Sequence, residues 1–225
     1  MADYTWSKLI DDNSNSGYDF WGGSAPVQNI WDLRQERSLS PLDVAHRAVI
    51  SFVYELPIGR GRAFGRNWNR PLDLVAGGWV LSGVLTMQGG FPVVTALTSG
   101  NLLAGTQRPN LIGDPSMPGS VRDRLDNYFN TAAFSRPATD DYGSAPRILN
   151  YRNPGFSNAD LTLGKRFYVR EKNSIEFSLE AFNAANGVAF GSPNASYGGT
   201  TFGQITSYAS GFNPRQIQLA LRYDF

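Results

Sequence analysis

Cysteine is absent from the 225 residues, and histidine occurs once, at His46. Without cysteine the chain forms no disulfide and no thiolate-ligated zinc site. A Ser-His-Asp triad would have to use His46, and the Gly-x-Ser-x-Gly elbow that often carries the serine is missing. We therefore expect His46 to be a structural residue at the start of a strand, and we expect neither enzymatic activity nor a cofactor.

Long apolar runs are missing as well. No stretch approaches the ~20 apolar residues that a membrane-spanning helix needs, and the mean hydropathy is -0.29. Lysine occurs 3 times and glutamate 5 times, against 24 glycines and 13 prolines. This composition disfavours helices and favours strands joined by long loops. Transmembrane β-strands fit such a profile because only alternate residues face lipid.

The last eleven residues alternate between apolar and other side chains and end on an aromatic residue. Period-two alternation places the two sets on opposite faces of a β-strand. Bacterial outer-membrane barrels end in such a strand, and the assembly machinery of that membrane reads it as an insertion signal. The sequence thus predicts part of an outer-membrane β-barrel whose assembly signal consists of Ile217, Leu219, Leu221, Tyr223 and Phe225.

Five earlier segments also alternate, which predicts six strands of an all-β, antiparallel transmembrane sheet: Ala2 to Leu9, His46 to Leu56, Gly78 to Gln88, Ala159 to Tyr168 and Ser174 to Asn183. The connections between them are long (10–45), medium (57–77), long (89–158), short (169–173) and long (184–214). Transmembrane barrels have short periplasmic turns and long extracellular loops. The alternation of lengths places the three long connections on one side, which we expect to be extracellular.

Several local patterns point to binding sites only superficially. Asp11, Asn13 and Asn15 are spaced like the start of a calcium loop, but Ser16 and Gly22 replace its required glycine and glutamate. We interpret this segment as a solvated loop without a metal.

The most basic stretch surrounds the glycines of Gly59-x-Gly61-x-x-x-Gly65 and contains Arg60, Arg62, Arg66 and Arg70. It lacks the lysine and hydroxyl residue of a phosphate-binding loop, and no helix is predicted after it. With a net charge of +1 and no second basic stretch, nucleic acid is not an expected partner.

The motifs between the strands resemble, in their order, the carboxyl-terminal end of TonB-dependent outer-membrane receptors, in particular the Oar-like branch whose members often carry a carboxypeptidase-regulatory-like domain. The motifs include Leu56-Pro57-Ile58-Gly59-Arg60-Gly61-Arg62, Gly77-Gly78-Trp79, Gly89-Gly90-Phe91-Pro92, Asn130-Thr131-Ala132-Ala133-Phe134, Glu180-Ala181-Phe182-Asn183 and Phe202-Gly203-Gln204-Ile205. The resemblance covers nearly all of residues 1–225, but only about the last quarter of a family member.

The resemblance implies a plugged barrel of about 22 strands that imports a scarce ligand with energy from the TonB system. The expected partners are outer-membrane lipid, the barrel assembly machinery, TonB acting through a plug domain, and an unidentified ligand. Residues Met1 to Ile10 show no signal peptide, and no plug is present. We therefore expect the chain to be the carboxyl-terminal portion of a longer outer-membrane precursor, not functional alone.

Two alternatives stay open at this stage. One is a complete small outer-membrane barrel of six to eight strands with a structural or adhesive role, and the other is a soluble β-sandwich that binds glycans through exposed Trp and Tyr. The three long loops are the best place for ligand contacts. The longest contains Arg108, Arg122, Asp123, Arg124, Asp126, Tyr128 and Phe129, none of which the sequence singles out as a binding residue.

Overall fold

In the computed structural model, residues 1–12, 25–100, 102, 106–168 and 173–225 are described. They form twelve strands and one α-helix: β1 Ala2–Trp6, β2 Ile10–Asp11, β3 Ser38–Leu39, β4 His46–Glu55, α1 Arg70–Ala76, β5 Trp79–Gln88, β6 Ala96–Leu97, β7 Asn110–Leu111, β8 Phe134–Ser135, β9 Phe156–Tyr168, β10 Ser174–Phe182, β11 Ser196–Tyr197 and β12 Gln216–Asp224. Short 3₁₀ helices cover Leu33–Glu36, Arg122–Arg124 and Thr131–Ala133. No helix in these ranges is long and apolar enough to cross a membrane.

The six strands of five or more residues form one sheet in the order β1-β4-β5-β9-β10-β12. Every neighbouring pair in this main sheet is antiparallel, so the chain runs up and down through it in sequence order. Each of the six predicted segments coincides with a strand of this sheet. The first ends at Trp6 instead of Leu9, because the backbone N–H of Leu9 donates to the Asp43 carboxylate at 2.5 Å. The fourth begins at Phe156, where Phe156 to Asn158 continue the pairing with β5.

The register brings apolar side chains together on one face of the main sheet. Tyr54, Leu81, Leu163, Leu179 and Leu219 form one continuous row across β4, β5, β9, β10 and β12. The positions between them form a row on the opposite face that consists of Val53, Ser82, Thr162, Glu180 and Gln218. We call these the apolar face and the polar face. A one-residue slip in any pair would mix them, so the alternation fixes the register.

The connections divide between the two ends of the main sheet. The three long connections leave from the end formed by Trp6, His46, Gln88, Phe156 and Phe182, which we call the loop end. The connection 56–78 lies at the other end, the turn end, where β9 ends at Tyr168 and β10 begins at Ser174; residues 169–172 of the turn predicted between them lie outside the described residues. The prediction that the long connections share one side is therefore confirmed.

The buried hydrophobic core lies in the long connections and not on the main sheet. It consists of Val93, Tyr128, Phe129, Ala133, Phe134, Leu149 and Ile205. The pairs β2–β3, β7–β8 and β6–β11 belong to the same region. We call residues 7–12, 25–45, 89–155 and 183–215, where described, the loop assembly.

Helix α1 contradicts the expectation that no helix follows the glycine-rich stretch. The Asn69 side chain accepts from the N–H of Leu72 at 3.0 Å and caps the helix, and Pro71 occupies its first turn. Both are standard features of a helix N-terminus. The helix ends at Gly77, whose N–H donates to the carbonyl of Asp73 at 2.9 Å. These three signals were present in the sequence, but seven residues are too few to show helical periodicity.

Neither alternative architecture is seen in the described part of the chain. A sandwich needs a second large sheet packed on the first, whereas the other sheets here have two strands each, each strand being two residues long. A closed six-stranded barrel needs β1 to pair with β12, and the two lie at opposite edges of an open sheet.

Candidate functional site

Of the five residues predicted as the assembly signal, Ile217, Leu219, Leu221 and Tyr223 lie on the apolar face of β12, the last strand of the open sheet, and Phe225 directly follows its last residue. The side chains are strongly exposed, from 54% for Tyr223 to 96% for Phe225. The rings of Tyr223 and Phe225 stack with their centroids 6.0 Å apart. Among the described strands β12 pairs only with β10, so its other backbone edge is available to another strand.

Aromatic side chains mark the turn end of the apolar face. Tyr54, Trp79, Phe167 and Tyr223 lie on four different strands and all point to this face. The ring of Trp79 packs edge-on against Phe177 at 5.9 Å. Such a belt is typical of the level at which a transmembrane barrel meets the lipid headgroups.

The polar face carries two adjoining clefts, centred on Asp160 and Phe182. One has a volume of 490 Å³ and is bordered by Ser51, Ser82 and Thr162, and the other has a volume of 350 Å³ and reaches Asn213 and Gln216 in the last loop and β12. The Asp160 carboxylate accepts from the backbone N–H of Asn183 and from the Asn158 amide, both at 2.9 Å. The lining offers hydrogen bonds to a polar solute.

Asn183 connects this face to the last loop, and only a weak signal in the sequence indicates its role. It adopts φ 48°, a left-handed conformation that asparagine tolerates better than most residues. Its buried amide donates to the carbonyls of Gly187 and Asn213 at 2.9 and 3.0 Å, and its side-chain oxygen accepts from the N–H of Gly187. The last loop is therefore fixed at the point where it leaves β10.

Buried ion pairs join the first and the longest loop. Glu36 is fully buried and binds the Arg108 guanidinium through two hydrogen bonds of 2.6 and 2.9 Å. The same carboxylate accepts from the backbone N–H groups of Gln28 and Asn29 at 3.2 Å. A bidentate pair with further donors is the arrangement that makes a buried charge tolerable.

Two further arginines of the longest loop also form ion pairs with acidic residues of the first loop. Arg147 forms an ion pair with Asp11 and also donates to the backbone carbonyl of Glu36 at 2.9 Å. Arg152 forms an ion pair with Asp43. Each of the three acids comes from the residues before β4, and each of the three arginines comes from the longest loop. The pairs hold together segments about a hundred residues apart.

An aromatic cluster forms the centre of the loop assembly. Phe129 is completely buried and contacts Phe134 and Phe202 with ring centroids 5.6 and 5.1 Å apart. Next to it, the Tyr128 hydroxyl donates to the carbonyl of Arg152 at 2.7 Å. Burial, together with the neighbouring Tyr151, raises the pKa of Tyr128 to about 12, against a smaller lowering by Arg124.

The structure separates the residues that the sequence offered as loop candidates. Arg108, Tyr128 and Phe129 are buried and structural, and Arg124 donates to the carbonyls of Met117 and Tyr128. Those left exposed are Arg122, Asp123 and Asp126. The large loops thus form a folded unit, which long-range contacts stabilise and sequence periodicity does not reveal.

Two other features singled out in the sequence are His46 and the calcium-like pattern that begins at Asp11, and the described contacts of both are with other protein side chains. His46 lies at the loop end of the apolar face, where its Nδ1 is 2.8 Å from the Tyr4 hydroxyl. The calcium-like pattern falls largely on Asn13, Asn15, Ser16 and Gly22, which lie outside the described residues, while Asp11 pairs with Arg147.

The geometry agrees with a comparison to protein families. The model of a family described as an outer membrane beta barrel domain matches residues 1–218, nearly the whole chain. Searches of curated proteins and of solved structures found no match. A match of this extent shows the family, and it supports an outer-membrane location in which the apolar face meets lipid. The chain therefore belongs to the outer membrane beta barrel domain family.

Proposed function

We propose that this chain is the carboxyl-terminal barrel part of a TonB-dependent outer-membrane receptor, which imports a ligand and is not an enzyme. The observation that carries the proposal is the open six-stranded sheet, which has an apolar face, a polar face and no partner strand beyond β1 or β12 among the described residues. The proposal explains each of these three properties.

The open edges favour a larger barrel. In hydrocarbon, backbone N–H and C=O groups without a partner each cost several kcal/mol, roughly, so a membrane sheet has to close on itself. Since β1 and β12 do not pair with each other, further strands have to complete the sheet. This requirement supports a barrel that is much wider than six strands could enclose, as in the plugged receptors.

The two ends of the sheet support the orientation expected for such a receptor. The turn end carries the shorter connection 56–78 and would face the periplasm, and the loop end carries the loop assembly and would face outward. The ion pairs and the aromatic cluster make the loop assembly a firm support for ligand-contacting residues at its surface. Below it, the clefts around Asp160 line the polar face, which would form the inner wall of the barrel.

The size of the native product tests the proposal. Cells of the source organism would be fractionated and blotted with an antibody against residues 89–158. A band several times heavier than 24.7 kDa in the outer-membrane fraction is the expected result. A band near 24.7 kDa in that fraction would favour the small barrel, and one in the soluble fraction would contradict a membrane function.

Energy coupling needs a separate test. The native protein would be crosslinked in intact cells to the TonB protein, with and without a protonophore that collapses the inner-membrane gradient. A crosslinked species that depends on the gradient is expected. An outer-membrane protein that never crosslinks to TonB would contradict the importer while leaving the barrel intact.

The assembly signal is the second part of the proposal. We propose that Phe225 is its most important residue, with Ile217, Leu219, Leu221 and Tyr223 completing it for the assembly machinery. Because Phe225 is 96% exposed, its deletion leaves no cavity and should not unfold the sheet. Deleting it from the native protein should lower the outer-membrane level, whereas Asp224→Asn should not. Unchanged levels of the deletion variant would contradict this role.

A further inference from the structure

Helix α1 has its apolar side facing outward. At about 100° per residue, Pro71, Leu72, Leu74 and Val75 span roughly 160° of its circumference. All four are exposed, with Leu74 at 58% and Val75 at 68%, while Asp73 and Ala76 on the opposite side are half-buried. A helix on the surface of a water-soluble protein has the reverse arrangement. The exposed side therefore suits an apolar environment.

Two side chains, Lys165 and Trp79, hold the end of this helix against the apolar face. The Lys165 ammonium, on the apolar face of β9, donates to the carbonyl of Leu74 at 2.6 Å and also to that of Gly77. The indole N–H of Trp79, on the same face, donates to the carbonyl of Val75 at 3.0 Å. The exposed leucines thus lie at the level of the aromatic belt, and the apolar surface of the helix continues that of the sheet.

The acidic residue of α1, Asp73, lies on the side of the helix that faces the protein, where it makes internal contacts. The Asp73 carboxylate accepts from the backbone N–H of Arg60 at 2.5 Å, and a Cβ at Gly59 or Gly77 would collide with it. Asp73 therefore stabilises the connection 57–77 from within by joining α1 to Arg60. It leaves the outer surface of that connection without a negative charge.

The same connection carries four arginines and a single acid, Asp73. Arg62 pairs with Glu55 at 2.9 Å, but in the described structure Arg60, Arg66 and Arg70 are exposed and form no ion pair. Arg70 is moreover the first residue of α1, where the helix dipole disfavours a cation. Arg70 therefore does not stabilise the helix, whereas contact with an anionic surface would explain an arginine at this position.

From these observations we infer that the connection 57–77 docks onto the periplasmic leaflet of the outer membrane and binds anionic phospholipid headgroups. Leu72, Leu74 and Val75 would enter the acyl boundary, and Arg60, Arg66 and Arg70 would contact phosphates, as in interfacial amphipathic helices. The inference rests on the proposed function, since it requires the main sheet to span the membrane with its turn end in the periplasm. Phe64 of the same connection is also exposed, at 66%.

A fluorescence experiment tests the apolar part. The 225 residues contain no cysteine, so once any cysteine elsewhere in the native protein is replaced, Leu74→Cys, Leu179→Cys and Ile112→Cys would each be labelled there with an environment-sensitive dye. The labelled proteins would be placed in nanodiscs that contain lipids with brominated acyl chains. We expect quenching at residue 74 and at residue 179 on the apolar face, but not at residue 112 in the loop assembly. Quenching at 179 without quenching at 74 would overturn this inference alone. Absence of quenching at 179 would overturn the membrane-spanning sheet itself.

A second comparison tests the charged part. Quenching of the Leu74→Cys label should be stronger in nanodiscs that contain phosphatidylglycerol than in pure phosphatidylcholine. Combining Arg60→Gln, Arg66→Gln and Arg70→Gln should remove that difference, and Arg122→Gln, an exposed arginine of the longest loop, should retain it. Equal quenching in both lipids, or an unchanged difference in the triple variant, would overturn headgroup binding. A crosslink from residue 74 to a periplasmic protein in native membranes would overturn the lipid as the occupant.

Discussion

The main sheet and the loop assembly place similar side chains in opposite environments. Leu219 and Leu221 are 64% and 73% exposed on the sheet, while Phe129 in the loop assembly is completely buried. Charged side chains differ in the opposite sense, because they are the more exposed on the sheet. The pair Arg166–Glu176 on the polar face is half-exposed, whereas the pair Glu36–Arg108 in the loop assembly is buried. Each region is built for a different surrounding: lipid for the sheet and water for the loops.

The comparison also shows how a barrel protein keeps long loops in order. A transmembrane sheet cannot provide its loops with a core, because its outer face meets lipid and its inner face is polar. Here the loops have their own aromatic cluster, and three ion pairs join segments that are distant in sequence. If these ion pairs are essential, breaking them should unfold the loop assembly while the main sheet stays folded.

The largest effect is expected from Glu36→Gln. This change leaves the Arg108 cation buried, and its Nε atom already has no hydrogen-bond partner in the described structure. Removing one partner of a buried ion pair costs about 3–5 kcal/mol. Amide hydrogen exchange should speed up in residues 25–45 and 89–155 but not in the strands of the main sheet.

The control is Arg62→Gln, which breaks an ion pair whose two side chains are more than half exposed. An exposed pair contributes about 0–1 kcal/mol, so exchange should change little. Equal effects of Glu36→Gln and Arg62→Gln would show that the buried pairs do not hold the loops.

A charge on the apolar face should act on the sheet alone. Leu163 lies in the central row of that face, and an arginine at the midplane of a membrane barrel costs about 2–4 kcal/mol. Leu163→Arg should therefore lower the denaturant midpoint of the native protein in lipid vesicles. Its neighbour provides the control, because Thr162→Arg places the charge on the polar face. Equal losses for the two variants would remove the distinction between the faces.

A smaller effect is expected where the two faces carry adjacent cations. Lys165 on the apolar face is buried and donates to the carbonyls that end α1, whereas Arg166 on the polar face pairs with Glu176 and is half-exposed. Hydrogen bonds to charged groups contribute about 1.5–3 kcal/mol, and exposed pairs about 0–1 kcal/mol. Lys165→Met should expose residues 57–77 to protease, and Arg166→Met should not. Equal protease sensitivity would argue against anchoring of α1 by Lys165.

High pH should weaken the loop assembly. Because burial raises the pKa of Tyr128 to about 12, unfolded chains lose this proton near pH 10 while folded ones keep it. Stability should therefore fall between about pH 10 and 12, by at most about 1.4 kcal/mol per pH unit from this group. The difference in absorbance at 295 nm between the parent and Tyr128→Phe reports the titration. A Tyr128 that ionises at pH 10 in the folded protein would contradict its burial.

The strands of the main sheet were predictable because their environment is simple. A sheet between lipid and water imposes period-two alternation over eight residues or more, so segments such as Ile217 to Phe225 show their two faces directly. The separation of long and short connections follows from the strand positions. Even so, the limits of β1 and β9 depend on partner residues, Asp43 and β5, that local pattern does not specify.

The loop assembly was not predictable in the same way. Phe129, Phe134 and Phe202 follow no period, and they meet only because separate loops fold onto one another. Arg108 looked like any surface arginine, since its partner Glu36 lies 72 residues away. Helix α1 has clear capping residues, but its outward apolar side becomes meaningful only once Lys165 and Trp79 fix its position.

The central claim is that one face of the main sheet meets lipid and the other meets water. Single cysteines at residues 159–164 of β9, introduced into the native protein, would carry spin labels whose accessibility to oxygen and to a water-soluble nickel complex is measured in membranes. Labels at Ala159, Leu161 and Leu163 should be accessible to oxygen, and labels at Asp160, Thr162 and Gly164 should be accessible to nickel. Nickel accessibility at all six positions would contradict the account.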